Sequence, residues 1–89
     1  MSDSFDGLYE KLARDKDWPK VYLFKFIIPS DNHRLALVQS LFGPEAQVSL
    51  NQSREGKYVS VSAKEIMMSP EEVIQRYKSA QEIEGLISL

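Results

Sequence analysis

Residues 21–28 read Val-Tyr-Leu-Phe-Lys-Phe-Ile-Ile, and so dense a run of β-branched and aromatic side chains predicts a β-strand. Trp18-Pro19 just upstream stops any helix, because proline drives its predecessor out of helical geometry. Alternation places Tyr22, Phe24, Phe26 and Ile28 on one face and Leu23, Lys25 and Ile27 on the other. Lys25 is the only charge in the run and marks its own face as the less buried, so the aromatic face is the expected core.

A strand wet on one side needs partners on the other, and the rest of the chain supplies them. Pro29-Ser30-Asp31 is a turn with capping chemistry, after which Leu35, Val38, Leu41 and Phe42 recur at helical spacing until Gly43-Pro44 ends the pattern. From 46 to 51, Ala46, Val48 and Leu50 alternate with Gln47, Ser49 and Asn51, which predicts a half-buried strand. The polar stretch 52–56 is a turn, and beyond it Val59, Val61 and Ala63 alternate with Tyr58, Ser60, Ser62 and Lys64 to complete a hairpin.

Ser69-Pro70-Glu71-Glu72 combines an N-cap Ser, Pro at the first helical position and Glu at N3, a capping box that opens a second helix. Val73, Tyr77 and Ala80 form its inward stripe with Ile74 at the margin; Gly85 suits the left-handed position that closes it, and 86–89 form a last short strand. At the other end, Phe5, Leu8, Tyr9 and Leu12 predict a short amphipathic helix over 4–13 behind a Ser or Asp cap, although Gly7 costs it about 1 kcal/mol.

The order is βαββαβ behind an N-terminal helix. Two right-handed β-α-β units sharing one sheet put strands 1 and 3 at the centre, in the order 4-1-3-2, with both crossover helices on one side. The expected class is α+β: a ferredoxin-like two-layer sandwich over residues 18–89, preceded by a helix and turn over 1–17. The sheet face left open then carries Leu23, Lys25 and Ile27, Gln47, Ser49 and Asn51, and Tyr58, Ser60, Ser62 and Lys64. Exposed together, Leu23 and Ile27 are candidate interface residues, and the N-terminal helix or a second protomer is expected to cover them. Strand 2 has no proline and no inward charge to discourage edge pairing, which makes a homodimer an expected partner state.

Composition narrows the function. The 89 residues, 43% hydrophobic, allow one core. With no cysteine and a single histidine, His33, thiolate chemistry and Cys/His zinc sites are excluded, and a reducing cytoplasm is the expected compartment. The start has no apolar leader segment and no stretch reaches membrane-spanning length. Thirteen acidic against eleven basic residues provide no broad positive field for nucleic acid.

No residue set reads as catalytic. His33 beside Asp31 lacks convergent partners; Glu71-Glu72 is explained by helix capping, and Glu82 and Glu84 lie at a helix end. Met67-Met68 reads as core filling where strand 3 hands over to the helix. The strongest candidate surface is Lys25 and Lys64 with Tyr58, Ser60 and Ser62, a weakly cationic, hydroxyl-rich patch able to hold a carboxylate or phosphate. Serines and lysines on the wet side of a sheet also need no function. Tyr58 is the only ring expected on that face, which disfavours single-stranded RNA binding.

Trp18-Pro19, the Phe24-Lys25-Phe26 strand end, the run Gly56-Lys57-Tyr58-Val59-Ser60-Val61-Ser62, and Val73 through Tyr77 to Ile83 together resemble the YbeD-like family of small uncharacterised bacterial proteins, over residues 18–89. The resemblance implies a ferredoxin-like fold similar to ACT domains, which bind small ligands at dimer interfaces and regulate metabolic enzymes. It implies no established activity and no cofactor. The first crossover helix is shorter here and the loop Gly43-Pro44-Glu45 tighter than the resemblance leads one to expect. The functional expectation is a non-catalytic ACT-like regulatory or protein-interaction module using the open face or strand edges; a small anionic metabolite sensor is the alternative, and a single-stranded RNA-binding module the least favoured.

Overall fold

The computed structural model describes residues 5–89. Its elements are α1 (Asp6–Arg14), β1 (Lys20–Pro29), α2 (Asn32–Gln39), β2 (Gln47–Gln52), β3 (Tyr58–Met67), α3 (Pro70–Gln81) and β4 (Ile87–Ser88). The four strands make one antiparallel sheet ordered β2-β3-β1-β4, which is β4-β1-β3-β2 from the opposite edge. The fold is α+β, with an open sheet and three helices. No helix among the described residues is long and apolar enough to cross a membrane.

The β1–β3 ladder follows from matched alternation. Phe24 stands opposite Ala63, Phe26 opposite Val61 and Ile28 opposite Val59, and all six side chains are buried. Val38 from α2 and Val73, Tyr77 and Ala80 from α3 close over them, with Met67 and Ile83 filling the ends. Each fully buried Phe or Ile contributes about 1.5–3 kcal/mol of transfer free energy. Tyr77 is the hub of an aromatic cluster: its ring meets Phe24 at 5.3 Å and Phe26 at 6.0 Å, and its hydroxyl lies 3.0 Å from that of Tyr22.

α1 packs on α3, in the helix layer. Phe5 stacks on Tyr77 at 5.9 Å, Leu8 and Leu12 pack against the core, and the Tyr9 hydroxyl donates to Glu71 Oε2 at 2.7 Å. Trp18 Nε1 donates to Leu12 O at 3.1 Å and holds the linker against the end of α1; the Trp18–Pro19 peptide is cis. α1 therefore does not cover Leu23 and Ile27. An amphipathic stripe states that a helix needs an apolar surface but not which one, and the ring of Tyr77 is the surface used. Residue 4, expected in this helix, lies outside the described residues. Phe5, without a side-chain cap bond, takes the N-cap position where a Ser or Asp was expected.

Other expectations need correction. β2 is exposed along its whole length: Val48 keeps 37% and Leu50 45% of their surface, where half-burial was expected. α2 is only eight residues long and packs on β1, so among the described residues it leaves the edge strand largely uncovered. β3 runs past Lys64 to Met67, because the inward charge of Glu65 ends the sequence pattern without ending the strand. Met67 is buried as expected and Met68 is exposed. α3 closes at Glu82, three residues before Gly85; Gly85, with φ of 83°, serves the turn into β4, where a Cβ would stand 2.9 Å from Pro29 Cγ.

Candidate interaction surface

Residues directly opposite in an antiparallel pair share a face, so the register arranges the uncovered face in rungs. Val21 stands opposite Ile66. The next rung is Leu23, Lys64, Gln47; then Lys25, Ser62, Ser49; then Ile87, Ile27, Ser60, Asn51; and last Pro29 with Tyr58. All the sequence-predicted site residues are on this face, spread along it. Lys64, then Ser62 with Lys25, then Ser60, then Tyr58 occupy successive rungs, so Tyr58 is next to Ser60 and six residues along β3 from Lys64, about 20 Å at strand rise.

The face also carries side chains that the sequence reading did not single out. Val21 and Ile66 are 61% and 62% exposed, and with Leu23 at 44% they form an apolar end. A shallow groove of about 310 Å³ runs there between Val21, Ile66, Lys64 and Gln47, with Glu45 and Glu65 at its rim. A second apolar pair, Ile27 with the exposed Ile87, lies on the far side of Lys25. Extending the alternation one step back to Val21, and two steps past Lys64 to Ile66, would have found the apolar end.

Electrostatically the face differs from the rest of the molecule. It holds Lys25 and Lys64 and no carboxylate on any strand, in a chain whose acids outnumber its bases. Among the described residues, neither lysine forms an ion pair. Lysines held in no ion pair, set between apolar patches, suit a surface that is negatively charged and partly apolar.

The other candidate groups have structural partners elsewhere. Glu72 accepts from the Met68 N–H at 3.2 Å while its own N–H donates to Ser69 Oγ at 3.3 Å, which completes the helix start. Glu71 is held below the ordinary carboxylate range, chiefly by the Tyr9 hydroxyl. Glu84 takes hydrogen bonds from Arg34, at its carbonyl (2.7 Å) and at Oε1 (3.1 Å). His33 is exposed on α2 beside that contact, away from the open face. Comparison with protein-family models, with curated proteins and with solved structures returns no match.

Proposed function

We propose that this chain is a non-catalytic, ACT-like regulatory or protein-interaction module of the YbeD-like kind, ferredoxin-like in fold, that works in the cytoplasm through its open sheet face. One observation carries the reading: Val21, Leu23 and Ile66 are exposed side by side and flanked by Lys64 and Lys25, two lysines that form no ion pair among the described residues. Exposed contiguous apolar surface marks contact sites, and the lysines specify a partner that brings both carboxylates and apolar side chains. Two copies meeting through this face would set lysines against lysines, which favours a different protein as its occupant.

Affinity capture from source-cell lysate with the wild-type chain and with Ile66→Asp and Lys25→Glu/Lys64→Glu variants tests this. The expected result is a protein retained by the wild type and lost by both variants, with thermal melts unchanged. A wild type that captures nothing the variants lose overturns it.

A small-anion sensor is the second reading, favoured by the juxtaposition of Lys25, Ser62 and Lys64, with neither lysine held in an ion pair among the described residues. It predicts a thermal shift with an anionic metabolite, equivalent to about 2.7 kcal/mol at a hundred times the dissociation constant. Lys25→Ala abolishes that shift, and a flat metabolite panel counts against the sensor.

A further inference from the structure

We propose that β2 is a homodimerisation edge, pairing antiparallel with β2 of a second copy about a two-fold axis through Ser49. This is independent of the open-face reading, because it uses the sheet's rim.

The backbone fixes what the rim offers. The Ser53 N–H donates to Tyr58 O at 2.8 Å, and the β2–β3 register continues that pair as Asn51 with Ser60, Ser49 with Ser62 and Gln47 with Lys64. Hydrogen-bonded and non-hydrogen-bonded pairs alternate in an antiparallel ladder. The odd-numbered residues of β2 are thus spent on β3, and the amides and carbonyls of Val48, Leu50 and Gln52 point outward. β2 carries no charge and no proline, and among the described residues no helix covers this rim, so it lacks the devices by which sheet edges ordinarily avoid association.

Symmetry then restricts the register. A two-fold axis perpendicular to the sheet keeps each side chain on its own face, so even-numbered residues must oppose even-numbered ones, which also aligns the outward amides and carbonyls. Two central registers satisfy this. In the first, Val48 opposes Leu50 of the second copy and Ser49 opposes its own counterpart on the axis; in the second, Leu50 opposes itself and Val48 opposes Gln52.

The first matches apolar with apolar on the helix side, where Val48 and Leu50 are exposed and Leu50 shares a groove with Leu35 and Val59. Charge selects it too. At each end of the seam it sets Glu45 opposite the neutral Ser53 of the second copy, with no like-charge contact. The second register brings Glu45 against Glu55.

The chain has no cysteine, so one introduced thiol reports the register. Non-hydrogen-bonded pairs bring Cα atoms to about 4.5 Å, within disulfide reach. The test is sedimentation equilibrium of the full chain over a concentration series, with mild oxidation of Ser49→Cys and, separately, Leu50→Cys. We expect a monomer–dimer equilibrium, an association constant reduced about tenfold or more by Leu50→Lys, and a cross-linked dimer from Ser49→Cys. A chain monomeric throughout, or a dimer that survives Leu50→Lys, overturns the proposal. Cross-linking of the Leu50→Cys variant without cross-linking of the Ser49→Cys variant overturns the register. A dimer broken by Ile66→Asp and not by Leu50→Lys assigns the contact to the open face instead.

Discussion

Arg76 donates to Glu65 Oε1 at 2.6 Å while its guanidinium lies 5.5 Å from the Phe24 ring centroid and 5.2 Å from that of Phe42. Both partners are largely buried, and the second Glu65 oxygen accepts from the Gly43 N–H at 3.1 Å. One carboxylate thus joins β3, α3 and the loop after α2. Arg76→Ala strands that carboxylate at the rim of the core, and the expected loss is about 2–4 kcal/mol, near the cost of breaking a buried pair. Urea unfolding monitored by circular dichroism checks it; a loss under about 1 kcal/mol would show that the pair behaves as an exposed one.

Gly43 is tested by the same group. A Cβ there would stand 2.8 Å from Glu65 Oε2, so Gly43→Ala displaces the oxygen that its own amide uses. The expected cost is about 1 kcal/mol. It should shrink in a Glu65→Ala background, where the oxygen is gone, and strict additivity in that double-mutant cycle counts against the contact.

Glu65 also shows where the sequence became illegible. Its charge falls in the inward phase of β3, and a charge at an inward position reads as the end of a strand unless its partner is known. Arg76 is that partner, eleven residues on, and nothing in the local pattern couples them. β1 and the start of α3 were legible because their signals are local: alternation through Tyr22–Ile28, and Ser69-Pro70 with Glu72. The exposure of Val48 and Leu50, and the seat of α1 on Tyr77, depend on how far α2 reaches and which surface is vacant. Those are tertiary facts. The open-face residues followed from alternation alone, while their order along the face, from an apolar end through the lysine rungs to Tyr58, required the register.

Neighbours in sequence should respond oppositely. Phe24 is fully buried, and Phe24→Ala is expected to cost about 3–5 kcal/mol. Leu23, on the open face, should cost about 0.5 kcal/mol or less as Ala. Thermal melts of the two variants check this, and comparable losses would mean that Leu23 is covered in the isolated chain.

Asp31, like Glu71, contributes to the acid limb of stability. The Arg34 backbone N–H at 2.7 Å, and then the Arg34 guanidinium, hold its carboxyl below the ordinary 3.8. A group with a lowered folded value contributes stability that is complete above the unfolded value and is lost as the pH falls through the folded one, here in a window below 3.8. Carbon-detected NMR titration should place the Asp31 midpoint under 3.8, and a midpoint at or above that value refutes the assignment. Asp31→Asn keeps the cap and should flatten this limb.

Tyr77 contributes to the alkaline limb. Burial, and then the Tyr22 hydroxyl, push its phenol far above the ordinary 10.0. With the folded value raised, the contribution is full below 10.0 and disappears as the pH climbs beyond it. Phenolate absorbance from Tyr77 should therefore appear only together with loss of the far-ultraviolet signal. Its appearance in a chain that is still folded would contradict the burial.

β4 contributes only Ile87 and Ser88 to the far side of the sheet. Its ladder meets β1 only at Phe26 and Ile27, although β1 itself runs from Lys20 to Pro29. The two rims are therefore unlike: β2 presents one unbroken strand, whereas the other side is stepped, two residues of β4 standing out beyond a longer β1. A straight strand from a second copy can lie flush along the first and not along the second, so a contact made by edge pairing is directed to the β2 side.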